Sequence, residues 1–167
     1  MLTKLIGSML ILVASCGIGY TKSNDMKHHL EELEELKKLF CLLKGELQYT
    51  RAPFSEVFEK IGQKTREPYQ TWMLHLCNRL QKKSGGMFWE IWCTSIAEDL
   101  QGSRLRADEV EELKQVGKNL EYIESLDLYI EQMEYKIKNT REAYRSKRKL
   151  CQSLGIMGGI FLVILLL

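Results

Sequence analysis

Apolar side chains recur along this chain at steps of three and four, the spacing of one helix face, and nothing reads convincingly as a strand. The longest run begins at Leu120. Ile123, Leu126, Ile130, Met133, Ile137, Thr140 and Tyr144 form one stripe, and Leu154 to Leu167 is apolar apart from three glycines. Leu33, Leu36, Phe40, Leu43 and Leu47 mark a second amphipathic helix over 26–50, preceded by a polar connector, Thr21 to Met26. Ser23, Asn24 or Asp25 would cap that helix. Between the two lie four shorter segments. Pro53 opens one with Phe54, Val57, Phe58 and Ile61; Pro68 opens the next with Tyr69, Trp72, Leu76 and Leu80. Ser84-Gly85-Gly86 breaks the chain before Trp89, Trp92, Cys93, Ile96 and Leu100, and Gly102 ends that segment. Val110, Leu113 and Val116 define a fifth helix over 107–119, with Gly117 as a pause or kink before the last.

The pattern predicts an all-α fold, an antiparallel six-helix bundle, because short loops make sequential helices antiparallel neighbours. Its expected core is Leu33, Leu36, Phe40, Leu43, Phe54, Phe58, Trp72, Leu76, Trp89, Trp92, Leu113, Leu126, Ile130, Met133 and Ile137. The first and last helices are long enough to pair as a stem for the other four.

Both ends are apolar. From Leu5 to Tyr20 there is no charge, and none follows Lys149. A retained helix of about 20 residues spans a bilayer, so residues 1–20 and 150–167 read as transmembrane helices around a body at 21–149. A second reading of the N-terminus stands beside this one. Lys4 and a short apolar core make a thin signal peptide, and Val13-Ala14-Ser15-Cys16 resembles a lipoprotein cleavage box with Cys16 as the lipidated residue. That would put a helical binding module outside the cell. The basic residues then fall on the wrong side for the positive-inside rule, whereas two spans with a cytoplasmic body satisfy it.

Charge sharpens the picture. The net value is +2, too balanced to suggest nucleic acid. The distribution is uneven: Arg141, Arg145, Lys147, Arg148 and Lys149 form a collar with one acid, Glu142, while residues 21–140 hold 18 basic and 21 acidic side chains. Such a collar suits anionic headgroups. A solvated helix end whose cations suit the C-terminal dipole is the other reading, and the apolar tail that follows at once favours the membrane. Five cysteines, Cys16, Cys41, Cys77, Cys93 and Cys151, include no CxxC pair, and their odd number argues against a disulfide framework. Cys41, Cys77 and Cys93 read as small buried hydrophobes.

No motif points to catalysis, a cofactor or a metal. His28 and His29 are adjacent, so they cannot share one helix face toward an ion. His75 stands alone beside Trp72 and Leu76 and reads as a boundary histidine. Gly85-Gly86 lacks the Lys-Ser/Thr of a phosphate loop. Tyr122, Tyr129, Tyr135 and Tyr144 are irregularly spaced, and packing accounts for most of them.

Taken in order, these features resemble the stage III sporulation protein AB family of endospore-forming bacteria. The likeness covers essentially the whole chain. It rests on Lys4-Leu5-Ile6-Gly7 opening an apolar span and on Leu39 to Tyr49 leading into Thr50-Arg51-Ala52-Pro53-Phe54-Ser55-Glu56. It continues in Leu113-x-x-x-Gly117-x-x-Leu120, Lys149-Leu150 and Leu154-Gly155-Ile156-x-Gly158-Gly159. After Leu120 the chain departs from that pattern, with Glu121, Glu124 and Leu128 where a glycine, an Asp and a Gln are usual. The resemblance implies a body similar to the type II secretion platform protein F domain. It implies residence in the outer forespore membrane, with the body facing the mother-cell cytoplasm. It also implies contacts with membrane lipid, with a cytoplasmic secretion-type ATPase, and with channel subunits of the same complex, and leaves room for an oligomer. Fold-level likeness is a weak warrant for those contacts.

Overall fold

A computed structural model describes residues 2–50, 52–82, 87–120 and 122–166, with side chains described over most of 24–150 and sparsely beyond. Among these residues there are six helices and no strand: α1 Leu2–Tyr49, α2 Phe54–Gly62, α3 Tyr69–Lys82, α4 Phe88–Asp99, α5 Ala107–Lys118 and α6 Ile123–Leu166. The expected connector at 21–26 is not a break. α1 runs through it, because Thr, Ser, Asn and Asp lower helix propensity only modestly and neither Gly nor Pro interrupts. The expected pause at Gly117 is one residue from a true end: α5 stops at Lys118, and Asn119 donates its N–H to the Val116 carbonyl.

The chain divides into two compact units, Met1–Leu30 with Lys138–Leu167, and Glu31–Ile137. The first joins the opening of α1 and the close of α6. The two expected spans, 1–20 and 150–167, lie almost wholly outside the described side chains. Among the described residues no helix is long and apolar enough to cross a membrane.

In the second unit, α2 packs on α3, α3 on α4, and α4 on α5. The helix starts are set locally. Pro53 sits extended just before α2, and its carbonyl accepts the N–H groups of Glu56 and Val57 at 3.0 and 3.2 Å. At α5 the Arg106 N–H donates to Glu109 Oε2 at 2.8 Å, one half of a capping box. Two connections within this series, α2–α3 and α4–α5, are tied to α1. Arg104 N–H donates to Glu32 Oε2 at 2.7 Å, and Arg66 N–H to Glu35 Oε1 at 3.0 Å. Lys37 reaches Glu134 at 2.6 Å, Lys44 reaches Asp127 at 2.5 Å, and Phe40 meets the Tyr129 ring edge-on at 4.8 Å between centroids. Each helix therefore touches its neighbour in sequence, and α6 returns to α1.

Candidate interaction surfaces

The surfaces are held by an aromatic cluster centred on Trp92. Its ring lies 5.0 Å from Trp72, 6.2 Å from Phe58 and 5.8 Å from Phe88, so one side chain of α4 touches α2 and α3. Its polar edge is satisfied: Nε1–H donates to the Leu113 carbonyl at 3.0 Å, which ties α4 to α5. Trp72 Nε1–H donates to Ser95 Oγ at 2.9 Å, and Ser95 donates in turn to the Trp92 carbonyl at 2.8 Å. Gly117 faces the same ring. A Cβ built there would fall 2.2 Å from Trp92 Cδ1, so only a glycine permits this approach.

Of the residues expected in the core, Leu33, Leu36, Phe40, Leu43, Phe58, Trp72, Leu76, Trp92, Leu113, Leu126, Met133 and Ile137 are buried. Phe54, Trp89 and Ile130 are half-buried. Trp89 carries Lys118 Nζ 4.6 Å above its ring. Tyr69 and Ile96, which the apolar spacing marks on their helix faces, are also buried, as are Leu39, Met73 and Ile91, which the expected core leaves out. Tyr69 and Tyr129 are both buried. Burial, reinforced by neighbouring carboxylates, pushes both phenols well above their ordinary range. The Tyr69 hydroxyl has no hydrogen-bond partner among the described residues. Of the four tyrosines expected mostly in the core, only Tyr129 is buried; Tyr122 and Tyr135 are exposed and Tyr144 is half-buried. Cys77 is buried and Cys93 half-buried, and burial raises both thiols. Cys41 is exposed instead, because one residue past Phe40 turns it away from the Leu36–Phe40–Leu43 stripe.

Two charged regions reach solvent. On α6 the collar residues Arg141, Arg145, Lys147 and Lys149 are exposed, while the Arg148 side chain lies outside the described residues. Between α5 and α6 a groove of about 500 Å³ opens. Asp108, Glu111 and Glu112 line its α5 wall, and Leu128 and Gln132 line its α6 wall. Lys136 neutralises Glu112.

A third polar group sits between α3 and α4. His75 Nδ1 lies 2.8 Å from Asp99 Oδ1, and Arg79 bridges Glu98 at 2.8 Å and Asp99 at 3.3 Å. The histidine expected to stand alone thus shares a carboxylate with an arginine. Among the described residues no group of three or more His, Cys, Asp or Glu side chains is arranged to hold a metal.

A family model described as stage III sporulation protein AB matches residues 4–167. No curated protein and no solved structure matches the chain.

Proposed function

The chain belongs to the stage III sporulation protein AB family and is therefore a sporulation protein; from that premise we propose that it is a non-enzymatic platform subunit of the mother cell–forespore channel complex. In this proposal residues 1–20 and 150–167 cross the outer forespore membrane. The helical body faces the mother-cell cytoplasm, where it couples a secretion-type ATPase to the channel subunits by contact.

The observation that carries the reading is the collar. Four exposed cations, Arg141, Arg145, Lys147 and Lys149, precede a C-terminal stretch without a single charge. Each basic residue near anionic headgroups contributes about 1 kcal/mol, and the positive-inside rule keeps such a collar on the cytoplasmic face. The family match supports the same reading because it extends through both apolar ends.

Cysteine accessibility tests it. Lys83→Cys and Leu167→Cys, each in a background whose native cysteines are serine, are introduced into the full chain in sporulating cells. An impermeant maleimide should leave Lys83→Cys unlabelled until the mother cell is opened. Labelling of that site in intact cells refutes the topology, and with it the contact to a cytoplasmic ATPase.

A further inference from the structure

We infer that the cationic face of α6, just ahead of the apolar C-terminus, docks an acidic helical segment of a different protein. Charge is divided sharply between the two compact units. Met1–Leu30 with Lys138–Leu167 holds nine basic and two acidic side chains, a net +7, whereas Glu31–Ile137 holds fifteen and twenty, a net −5. In the first unit most of the excess lies on α6. Lys138, Glu142, Arg145 and Lys149 follow one another at steps of four, three and four, so they share one helix face. All four are exposed, as is Lys147. Arg141 already interacts within the chain. Lys138, Arg145, Lys147 and Lys149 have no ion-pair partner among the described residues, and neither has Glu142. Elsewhere the chain matches its surface lysines: Lys37 with Glu134, Lys44 with Asp127, Lys60 with Glu46 and Lys136 with Glu112. This face alone keeps three unmatched cations against one carboxylate.

Height selects the occupant. In the proposed topology the uncharged stretch after Lys149 enters the bilayer. Lys138 stands eleven residues before Lys149, about 17 Å along the axis at 1.5 Å per residue. A headgroup layer is about 5–8 Å deep. Helical side chains also lean toward the helix N-terminus, here away from the lipid. Headgroups therefore cover Lys147 and Lys149 and leave Lys138 and Arg145 bare. A second copy in the same membrane would meet this face at equal height and set like charge against like. Both exclusions rest on that topology; the charge imbalance does not. The remaining occupant is a helix of another protein at the same membrane. Its Asp or Glu residues, three and four positions apart, would face Lys138 and Arg145, and the guanidinium can take a carboxylate in bidentate fashion.

The test uses the full chain in nanodiscs of zwitterionic phosphatidylcholine. The probe is a labelled 15-residue helical peptide with glutamates at every third or fourth position. A second peptide replaces each glutamate with lysine. The glutamate peptide should bind and the lysine peptide should not. Lys138→Glu and Arg145→Glu should each weaken binding at least tenfold, while Lys82→Glu, at an exposed lysine of α3, should leave it unchanged. Glu142→Gln should tighten it at least twofold, a gain that misfolding cannot produce. Equal binding of both peptides, or of wild type and the α6 variants, overturns the inference. Replacing part of the phosphatidylcholine with phosphatidylglycerol should leave binding within threefold; abolition assigns the face to headgroups and overturns it too. In sporulating cells a photo-crosslinking residue in place of Asn139 should join the chain to an acidic helical segment of another protein, mapped by mass spectrometry. An adduct with a second copy, or none, overturns it equally. Outside labelling of Lys83→Cys would sink the membrane topology and leave the peptide titration standing.

Discussion

Gly117→Ala should destabilise the bundle far more than one methyl group suggests. The new Cβ would lie 2.2 Å from Trp92 Cδ1, 2.5 Å from Nε1 and 2.6 Å from Cγ. Those atoms belong to a rigid ring, so no flexible side-chain end can swing aside. Either the indole rotates or α5 moves off α4. Overpacking of this kind costs about 1–3 kcal/mol. Displacing the ring also endangers the 3.0 Å bond from Nε1–H to the Leu113 carbonyl. An orphaned buried donor adds about 1–3 kcal/mol. Against this, alanine is the better helix former by about 0.8–1 kcal/mol. The net expectation is a loss of about 3 kcal/mol, a large share of the roughly 5–15 kcal/mol that holds a typical domain. Urea unfolding of the full chain in nanodiscs, followed by tryptophan emission, measures it. A double-mutant cycle with Trp92→Leu separates the cause: on that background Gly117→Ala should cost under about 1 kcal/mol, because the clash and the bond are both gone. A loss below about 0.5 kcal/mol in wild type, or an equal loss on both backgrounds, would refute the argument from close approach.

Other outcomes follow from the same packing. Phe40→Ala should cost about 3–5 kcal/mol by leaving a cavity against Tyr129, whereas Lys44→Ala should cost about 1 kcal/mol or less, since its pair with Asp127 is half in water; denaturant midpoints compare the two. The hydrogen bond from Lys60 lowers the Glu46 carboxyl, with the Lys60 and Lys64 charges adding to the effect against desolvation. A depressed folded pKa means the contribution is present above the unfolded carboxylate value and disappears as pH falls through the folded one. An NMR titration of Glu46 should therefore show its midpoint moving up toward the ordinary value in Lys60→Met, and an unmoved midpoint would remove the assigned cause. Cys16→Ser should leave the protein's mass change at that of the substitution and its membrane recovery intact; loss of a lipid-sized increment would instead favour the processed lipoprotein.

Helix identity was legible wherever one face was strongly apolar and a proline, a glycine or a loop punctuated it. Pro53 and Pro68 each stand one residue before a helix, and the segment expected over 107–119 is α5, Ala107–Lys118. What escaped the pattern depends on tertiary distance. Nothing in a one-dimensional reading distinguishes a glycine that ends a helix from one that admits an indole, so Gly117 read as a kink. The connector at 21–26 read as a break because capping residues also tolerate a helix interior. Tyr122 and Tyr135 look no different in sequence from the buried Tyr129. The α5–α6 groove was invisible for the same reason: its two walls are one amphipathic helix each, and only their separation makes a cleft.

The seam between α1 and α6 has a consequence for the order in which the protein is made. Contacts among α2, α3, α4 and α5 join segments close in the chain, and such local topologies form quickly. The Phe40–Tyr129 and Lys44–Asp127 contacts join residues more than eighty positions apart. A ribosome must therefore deliver the last helix before the first has all its partners: Arg66 and Arg104 can already hold Glu35 and Glu32, while Phe40 and Lys44 wait for Tyr129 and Asp127. Stalled nascent chains ending at Asn119 should leave the Lys37–Lys44 turns of α1 open to hydrogen exchange while α2 to α5 are already protected; full protection of those turns at that length would mean that the last helix is not what covers them.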